Sequence, residues 1–161
     1  MFTMAAIKPL SECPDYAPVL AYWSYNLWYR ARPIDYDVLV KSYRQRARNT
    51  GVPLAWAAVD ESMPVGMVSL KNDDLWTRKD LNPWLASLYV VPEFRKRGIA
   101  EGLIRAVTER ARELMFGKVY LFLDARDEAH LEEYYHRLGW SYLEDGIDND
   151  GLPTKIFYFQ L

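Results

Sequence analysis

Six consecutive residues, Arg95-Lys96-Arg97-Gly98-Ile99-Ala100, have the types and spacing to hold an anion. They follow a strand-like run, Leu88 to Val91, and the connection Pro92-Glu93-Phe94, and they lead into a long amphipathic segment. The first N–H groups of a helix have no intrahelical partner, and the aligned peptide dipoles add partial positive charge there. A pyrophosphate can take those N–H groups directly. Gly98 removes the side chain where a phosphate must approach the backbone, and Ala100 keeps the next position small. Arg95, Lys96 and Arg97 add flanking positive charge. The spacing is not that of the P-loop, which places Gly-Lys-Ser/Thr at the helix start, nor of the three-glycine dinucleotide fingerprint. A solvated basic loop and a nucleic-acid contact are the other readings of three adjacent basic residues. The position between a buried strand and a helix start favours the anion site.

Other reactive side chains are scattered. Cys13 is the single cysteine, which excludes an internal disulfide and a thiolate-rich metal cluster. It precedes Pro14 at a helix start, where a thiol pKa can fall, but no base is placed beside it, so it reads as structural. His130 and His136 sit among charged residues and read as exposed. Asp148-Asn149-Asp150-Gly151 begins like a calcium loop but lacks the remaining ligands and closing Glu, so it reads as a hairpin turn. No metal site is expected.

Patterning supplies the scaffold for these residues. Ile7-Lys8-Pro9-Leu10 reads as a short strand stopped by proline. Residues 15–29 place Val19, Leu20, Trp23 and Leu27 at helical spacing, and a second helix capped by Asp35 runs to about Arg48. Leu54 to Val59 and Val65 to Leu70 read as hairpin strands joined through 60–64. A polar insert, 71–82, leads into the buried strand Trp84 to Val91. Ile99 to Phe116 carries Ile99, Leu103, Ile104, Val107, Ala111 and Leu114 on one helical face, with Gly117 as its stop. Val119 to Leu123 is a buried strand, 128–138 a helix closed by Gly139, and Trp140 to Leu143 and Ile156 to Leu161 a final pair of strands.

This order implies an α+β (α/β three-layer) domain with helices on a mixed sheet. The 161 residues fit a single domain, 1–161, with one core, and no linker or repeat divides them. Hydrophobic residues at 50% and charged residues at 26% are the balance of a folded globular chain, and a net charge of -2 gives no global field toward nucleic acid. No apolar run is long enough to span a bilayer, and residues 1–9 lack a basic leader with an apolar stretch, so the expected location is cytoplasmic with no membrane partner.

With Arg95, Gly98 and Ala100 in register, the sequence resembles the GNAT superfamily of N-acetyltransferases, whose acetyl-CoA motif is Arg or Gln, two residues, Gly, one residue, Gly or Ala. The resemblance extends from about Ile7 to Leu161 and agrees in element order. It implies a mostly antiparallel twisted sheet splayed into a V between Leu88–Val91 and Val119–Leu123. It implies that acetyl-CoA is the co-substrate, with Arg95, Lys96, Arg97, Gly98, Ile99 and Ala100 around its pyrophosphate. The backbone of Tyr89, Val90 and Val91 would pair with its pantetheine arm.

The same resemblance puts a proton donor four residues before the glycine of a Tyr-x-x-x-Gly-Phe-like segment, here Tyr135-His136-Arg137-Leu138-Gly139-Trp140. Tyr135 is therefore the candidate acid, although Leu131, Tyr134, Tyr135 and Leu138 also lie at core spacing. Many relatives carry an Asn about seven residues before that tyrosine, where this chain has Glu128. Candidate bases are Asp73, Asp74 and Asp80 in the polar insert and Ser87 and Tyr89 on the strand, with a solvated acidic loop as the plainer reading of the three aspartates. An acceptor pocket is expected between the first two helices, the insert and the final hairpin. Trp28, Asp73, Asp74 and Trp84 are its candidate lining, together with Trp23, Trp76, Glu144 and Asp145, and they would suit a cationic, partly apolar amine.

The expected function is acetyl transfer from acetyl-CoA to a primary amine by direct attack, the acceptor being a small molecule or a peptide. The alternative is an acyl-CoA-sensing module without turnover. The resemblance also includes homodimers, formed by strand exchange or edge pairing.

Overall fold

The computed structural model describes residues 4–126 and 130–161. Strands β1 (Ala6–Pro9), β2 (Leu54–Asp60), β3 (Met63–Lys71) and β4 (Trp84–Val90) form an antiparallel meander. A second antiparallel set contains β5 (Lys118–Asp124), β7 (Pro153–Gln160) and β6 (Ser141–Ile147). The two sets join side by side through β4 and β5 in the order β1-β2-β3-β4-β5-β7-β6, and that junction is the parallel one. The β2–β3 hairpin turns on Glu61 and Ser62, both at positive φ, as the right-handed strand twist requires of a two-residue loop.

Helices cover both faces. On one side α3 (Ile99–Glu113) and α4 (Leu131–Arg137) share a core with Val65, Leu85, Leu121, Trp140 and Phe157. On the other side α1 (Ala17–Ser24) and α2 (Tyr36–Arg46) pack around Leu20, Tyr43, Ala55 and Met67. The mixed sheet and the two helical layers are those expected from the sequence. Among the described residues no helix is long and apolar enough to cross a membrane.

Three local expectations need correction. The buried stripe of α1 is Ala17, Leu20, Ala21 and Ser24, whereas Val19 and Leu27 are exposed. Small residues let α1 lie close to α2, and the helix continues as a π-turn over Tyr25–Tyr29, which rotates Leu27 off the α-helical stripe. Asp35 occupies the N-cap of α2 but makes no side-chain cap bond. The left-handed residue closing α3 is Met115 (φ 66°), not Gly117, and Phe116 N–H returns to the Ala111 carbonyl just beyond it.

The seam between the two strand sets is what makes room for a site. Its register contains one pair, Trp84 with Tyr120, and Tyr120 N–H donates to the Pro83 carbonyl at 3.0 Å. Toward Val90 the strands part, leaving the V. A β-bulge lies on the same stretch: Met67 faces Tyr89 and Ser69 faces Ala86, so Val68 opposes Ser87 and Leu88 together. Ser87 sits at a φ of 56°, an uncommon conformation for a residue other than glycine.

Candidate active site

The V holds a cavity of about 770 Å³, walled by Leu85 to Val90 of β4, by Leu121 to Asp124 of β5, and by Tyr134 and Tyr135 of α4. Among the expected residues, Tyr89, Val90, Arg95, Ala100, Tyr135, Trp28 and Asp74 meet in this one cleft. Tyr135 is buried, with its ring edge-on to Tyr134 and Trp140. Gly139, at a φ of 96°, makes the turn that ends this helix, and Trp140 N–H closes it onto the Tyr135 carbonyl at 3.0 Å. The glycine therefore serves the backbone, and the tyrosine is held at a fixed place in the cleft wall.

At one end of the cleft stands the start of α3. Gly98 is its N-cap residue, in the left-handed region at a φ of 79°, and among the described residues no side chain caps the helix. The N–H groups of the first turn are thus left for an anion. A Cβ on Gly98 would meet just one atom within 4 Å, a carboxylate oxygen of Glu101. Arg95 turns into the cleft, where its Nε donates to the Val90 carbonyl at 2.9 Å and its guanidinium lies 5.7 Å from the Tyr89 ring centre.

The rest of the basic turn faces elsewhere. Lys96, Arg97, Gly98 and Ile99 line a smaller cavity of about 380 Å³ shared with Ala5, Ile7 and Phe94. Arg97 donates to the Glu93 carbonyl at 3.0 Å and stacks over Phe94. Of the three basic residues of the turn, Arg95 lines the cleft, which Arg32 and Arg126 also border. Val91 also departs from expectation: its N–H donates to the Val65 carbonyl at 2.9 Å, so that amide completes the β3–β4 ladder.

At the other end the cleft is bordered by the segment after α1, the insert before β4 and the β6–β7 turn. Trp28 is exposed there, and Asp74 pairs with Lys71 at 3.1 Å. Asn149 clips two of these segments together, donating to the Asp74 carbonyl at 3.0 Å and accepting from Trp76 N–H at 2.9 Å. Arg32 forms an ion pair with Asp150 across the same mouth. Asp148 accepts the N–H groups of Asp150 and Leu152, so the acidic stretch is the hairpin turn expected, shaped by its own carboxylate.

Other acceptor candidates lie apart from this mouth. Trp84 is fully buried, its indole N–H donating to the Leu81 carbonyl at 2.7 Å and its ring packed on Tyr120 and Phe122. It anchors the underside of the seam and does not line the cleft. Asp73 is exposed outside the cleft. Asp80 is held below the usual carboxylate range by hydrogen bonds from Arg78, which also pairs with Glu144. Trp76 is exposed beside the clip, and Asp145 accepts from the Tyr142 hydroxyl. Of the acidic base candidates, Asp74 alone borders the cavity, along with Ser87 and Tyr89. His130 and His136 are both exposed. Glu128 lies outside the described residues.

Four features went unread in the sequence. Arg32 and Asn149 act across large separations that no local pattern encodes. The Ser87 bulge has no glycine to announce it. Glu101 follows the turn by one residue and could have been noticed as a carboxylate at the third helical position. Burial pushes the Tyr134 hydroxyl upward, and the negative charge of Glu101 adds to that, opposed by Arg137. Among the described residues no group of three or more His, Cys, Asp or Glu could hold a metal ion.

Residues 19–140 match the model of the acetyltransferase (GNAT) family. No curated protein matches the sequence. Solved structures extend the likeness over nearly the whole chain. An aminoglycoside 6'-acetyltransferase type Ii aligns at TM-score 0.72 with 19% identity, over 96% of each chain. A NatC complex bound to Gag peptide and CoA aligns at TM-score 0.71 with 16% identity, over 99% of each chain. A Bacillus anthracis str. Ames protein solved with acetyl coenzyme A aligns at TM-score 0.57 with 16% identity, over 70% of this chain and 65% of that one.

Proposed function

Because the chain belongs to the acetyltransferase (GNAT) family, we propose that residues 1–161 form one acyltransferase domain that moves an acetyl group from acetyl-CoA to a primary amine. The observation that carries this reading is the continuity of the cleft. One cavity runs from the uncapped start of α3, past the parted strands, to Tyr135 and then to the mouth at Trp28 and Asp74. The residues fit the co-substrate. Gly98 leaves its Cβ direction open, the α3 start offers unpaired N–H groups, and β5 leaves the cleft-facing edge of β4 without a ladder beyond Trp84.

When bound, acetyl-CoA supplies a thioester carbonyl that an amine lone pair can attack, with the C–S bond breaking as the C–N bond forms. Arg95 and the first turn of α3 hold the phosphates. The edge of β4 at the bulge orients the acetyl arm through backbone groups. Tyr135 donates its phenolic proton to the departing sulfur and recovers a proton from the acylated nitrogen through water. Asp74, at the mouth, draws a cationic acceptor inward, and the amine attacks in its neutral form after its ammonium proton has passed to water. The neighbours named for an aminoglycoside and for a peptide align equally well, so the acceptor is sought by assay rather than by likeness.

The test is release of free thiol from acetyl-CoA across a panel of small amines and peptide N-termini. Tyr135→Phe should lower kcat at least about tenfold while CoA binding stays within about twofold. Unchanged turnover in that variant removes Tyr135 as the acid. Tight CoA binding without turnover on any amine would favour the sensing alternative.

A further inference from the structure

We propose that Glu101 is a built-in competitor for the phosphate cradle, a specificity-determining residue that weakens the hold on the anionic co-substrate and sets how readily CoA is released. This rests on the reading that α3 receives the CoA pyrophosphate.

Glu101 is the third residue of α3, one turn into the helix whose first N–H groups lack a side-chain cap. Its carboxylate oxygen is the single atom within 4 Å of the position a Gly98 Cβ would take, at 3.7 Å. The glycine that opens the cradle therefore opens it onto a carboxylate. The Glu101 side chain is exposed. Burial raises the Tyr134 hydroxyl in the cleft wall, and the Glu101 charge adds to that rise. The 3.7 Å approach thus places a negative charge at the α3 start itself.

Within the basic turn, Lys96 and Arg97 line the smaller cavity, and Arg95, the residue of the turn on the cleft side, donates through Nε to the Val90 carbonyl. A phosphate arriving at the N–H groups of residues 99–101 meets repulsion from Glu101, which must swing aside on its exposed stem. The helix start attracts anions, and the chain supplies one of its own. Binding then becomes an exchange of one anion for another, and release is assisted by the returning carboxylate.

The experiment is calorimetric titration of CoA into the wild type, Glu101→Gln and Glu101→Ala at low and at high salt. Both variants should bind CoA about three- to tenfold more tightly at low salt, with the gain shrinking as salt screens the charge. Acetylpantetheine, which lacks the pyrophosphate, should bind all three proteins equally. If the wild type binds CoA and both variants bind it equally or more weakly, the competitor role is overturned. An equal gain for acetylpantetheine overturns it too, since the effect would then not act through phosphate. If the wild type does not bind CoA, the underlying reading of the cradle fails, and this outcome is distinct from the others. Glu101→Gln keeps the side-chain shape, and thermal melts of both variants identify any loss of fold.

Discussion

Gly66 offers a sharp test of how the cleft wall is held. It lies in β3 opposite Val90, and an added Cβ would meet three atoms at 3.2 to 3.3 Å: Leu103 Cδ1, the Tyr89 carbonyl oxygen and Ala58 Cβ. The leucine end can shift, but the Tyr89 carbonyl is backbone and Ala58 belongs to the neighbouring strand. Gly66→Ala must therefore push β4 or β2 by a few tenths of an ångström. Overpacking of this kind costs about 1–3 kcal/mol, and the loss of unfolded-state freedom returns about 0.4–1 kcal/mol. The net of about 1–2 kcal/mol corresponds to a fall in Tm of about 2–8 °C for a chain of this size. Gly117 is the matched control, since nothing lies within 4 Å of its Cβ position, and Gly117→Ala should melt at or slightly above the parent. Because the displaced group is the Tyr89 backbone in the cleft wall, the KM for acetyl-CoA should rise in Gly66→Ala alone. Melts by circular dichroism and initial rates read both effects. A Gly66→Ala protein melting within about 1 °C of wild type would refute the idea that this approach is a constraint.

Trp84→Ala should cost about 3–5 kcal/mol as a core cavity, whereas Trp28→Ala should leave Tm nearly unchanged and alter the KM for the acceptor; equal melts for the two would overturn the placement of Trp84. Gly98→Glu should abolish measurable CoA binding in a protein that still unfolds cooperatively, at a conformational cost of about 1–2 kcal/mol from the left-handed backbone. For Cys13, burial raises the thiol pKa, so the reactive thiolate is scarcer than in a free thiol at any pH below its folded pKa. Iodoacetamide should label native Cys13 more slowly than the denatured chain at pH 8, read by mass spectrometry, and equal rates would sink the argument.

The legible parts of this molecule were those in which local patterning and tertiary packing agree. The α3 face from Ile99 to Ala111 is written in 3.6-residue spacing, and the same residues are the ones buried. The α3 start was readable because glycine, small residue and helix onset are all local. The succession of strands along the chain followed from apolar runs of strand length, whereas their order in the sheet did not. Elsewhere the sequence carries no comparable mark. The π-turn at Tyr25–Tyr29 shifts a helical stripe with no glycine or proline to signal it. Trp84 has the composition of a pocket residue, and only the partnership with Tyr120 and Phe122 reveals it as core. The direction of long basic side chains was likewise invisible, so three charges were expected where Arg95 alone of the three enters the cleft. Asn149 joins segments about 75 positions apart, and that distance is set by the fold as a whole.

The single pair across the β4–β5 seam has a mechanical consequence. A sheet continuous in order but nearly interrupted in hydrogen bonds behaves as two plates sharing one hinge, at Trp84 and Tyr120. Apolar side chains from both plates interlock above the hinge, while Asn149 and the Arg32–Asp150 pair tie the plates at the mouth. Apolar contact weakens on cooling and polar ties weaken with salt, so the two fastenings respond to different variables. Amide exchange should accordingly divide the chain along this line, with β2–β3 and β5–β7 protected as separate blocks and the free edge of β4 breathing between them.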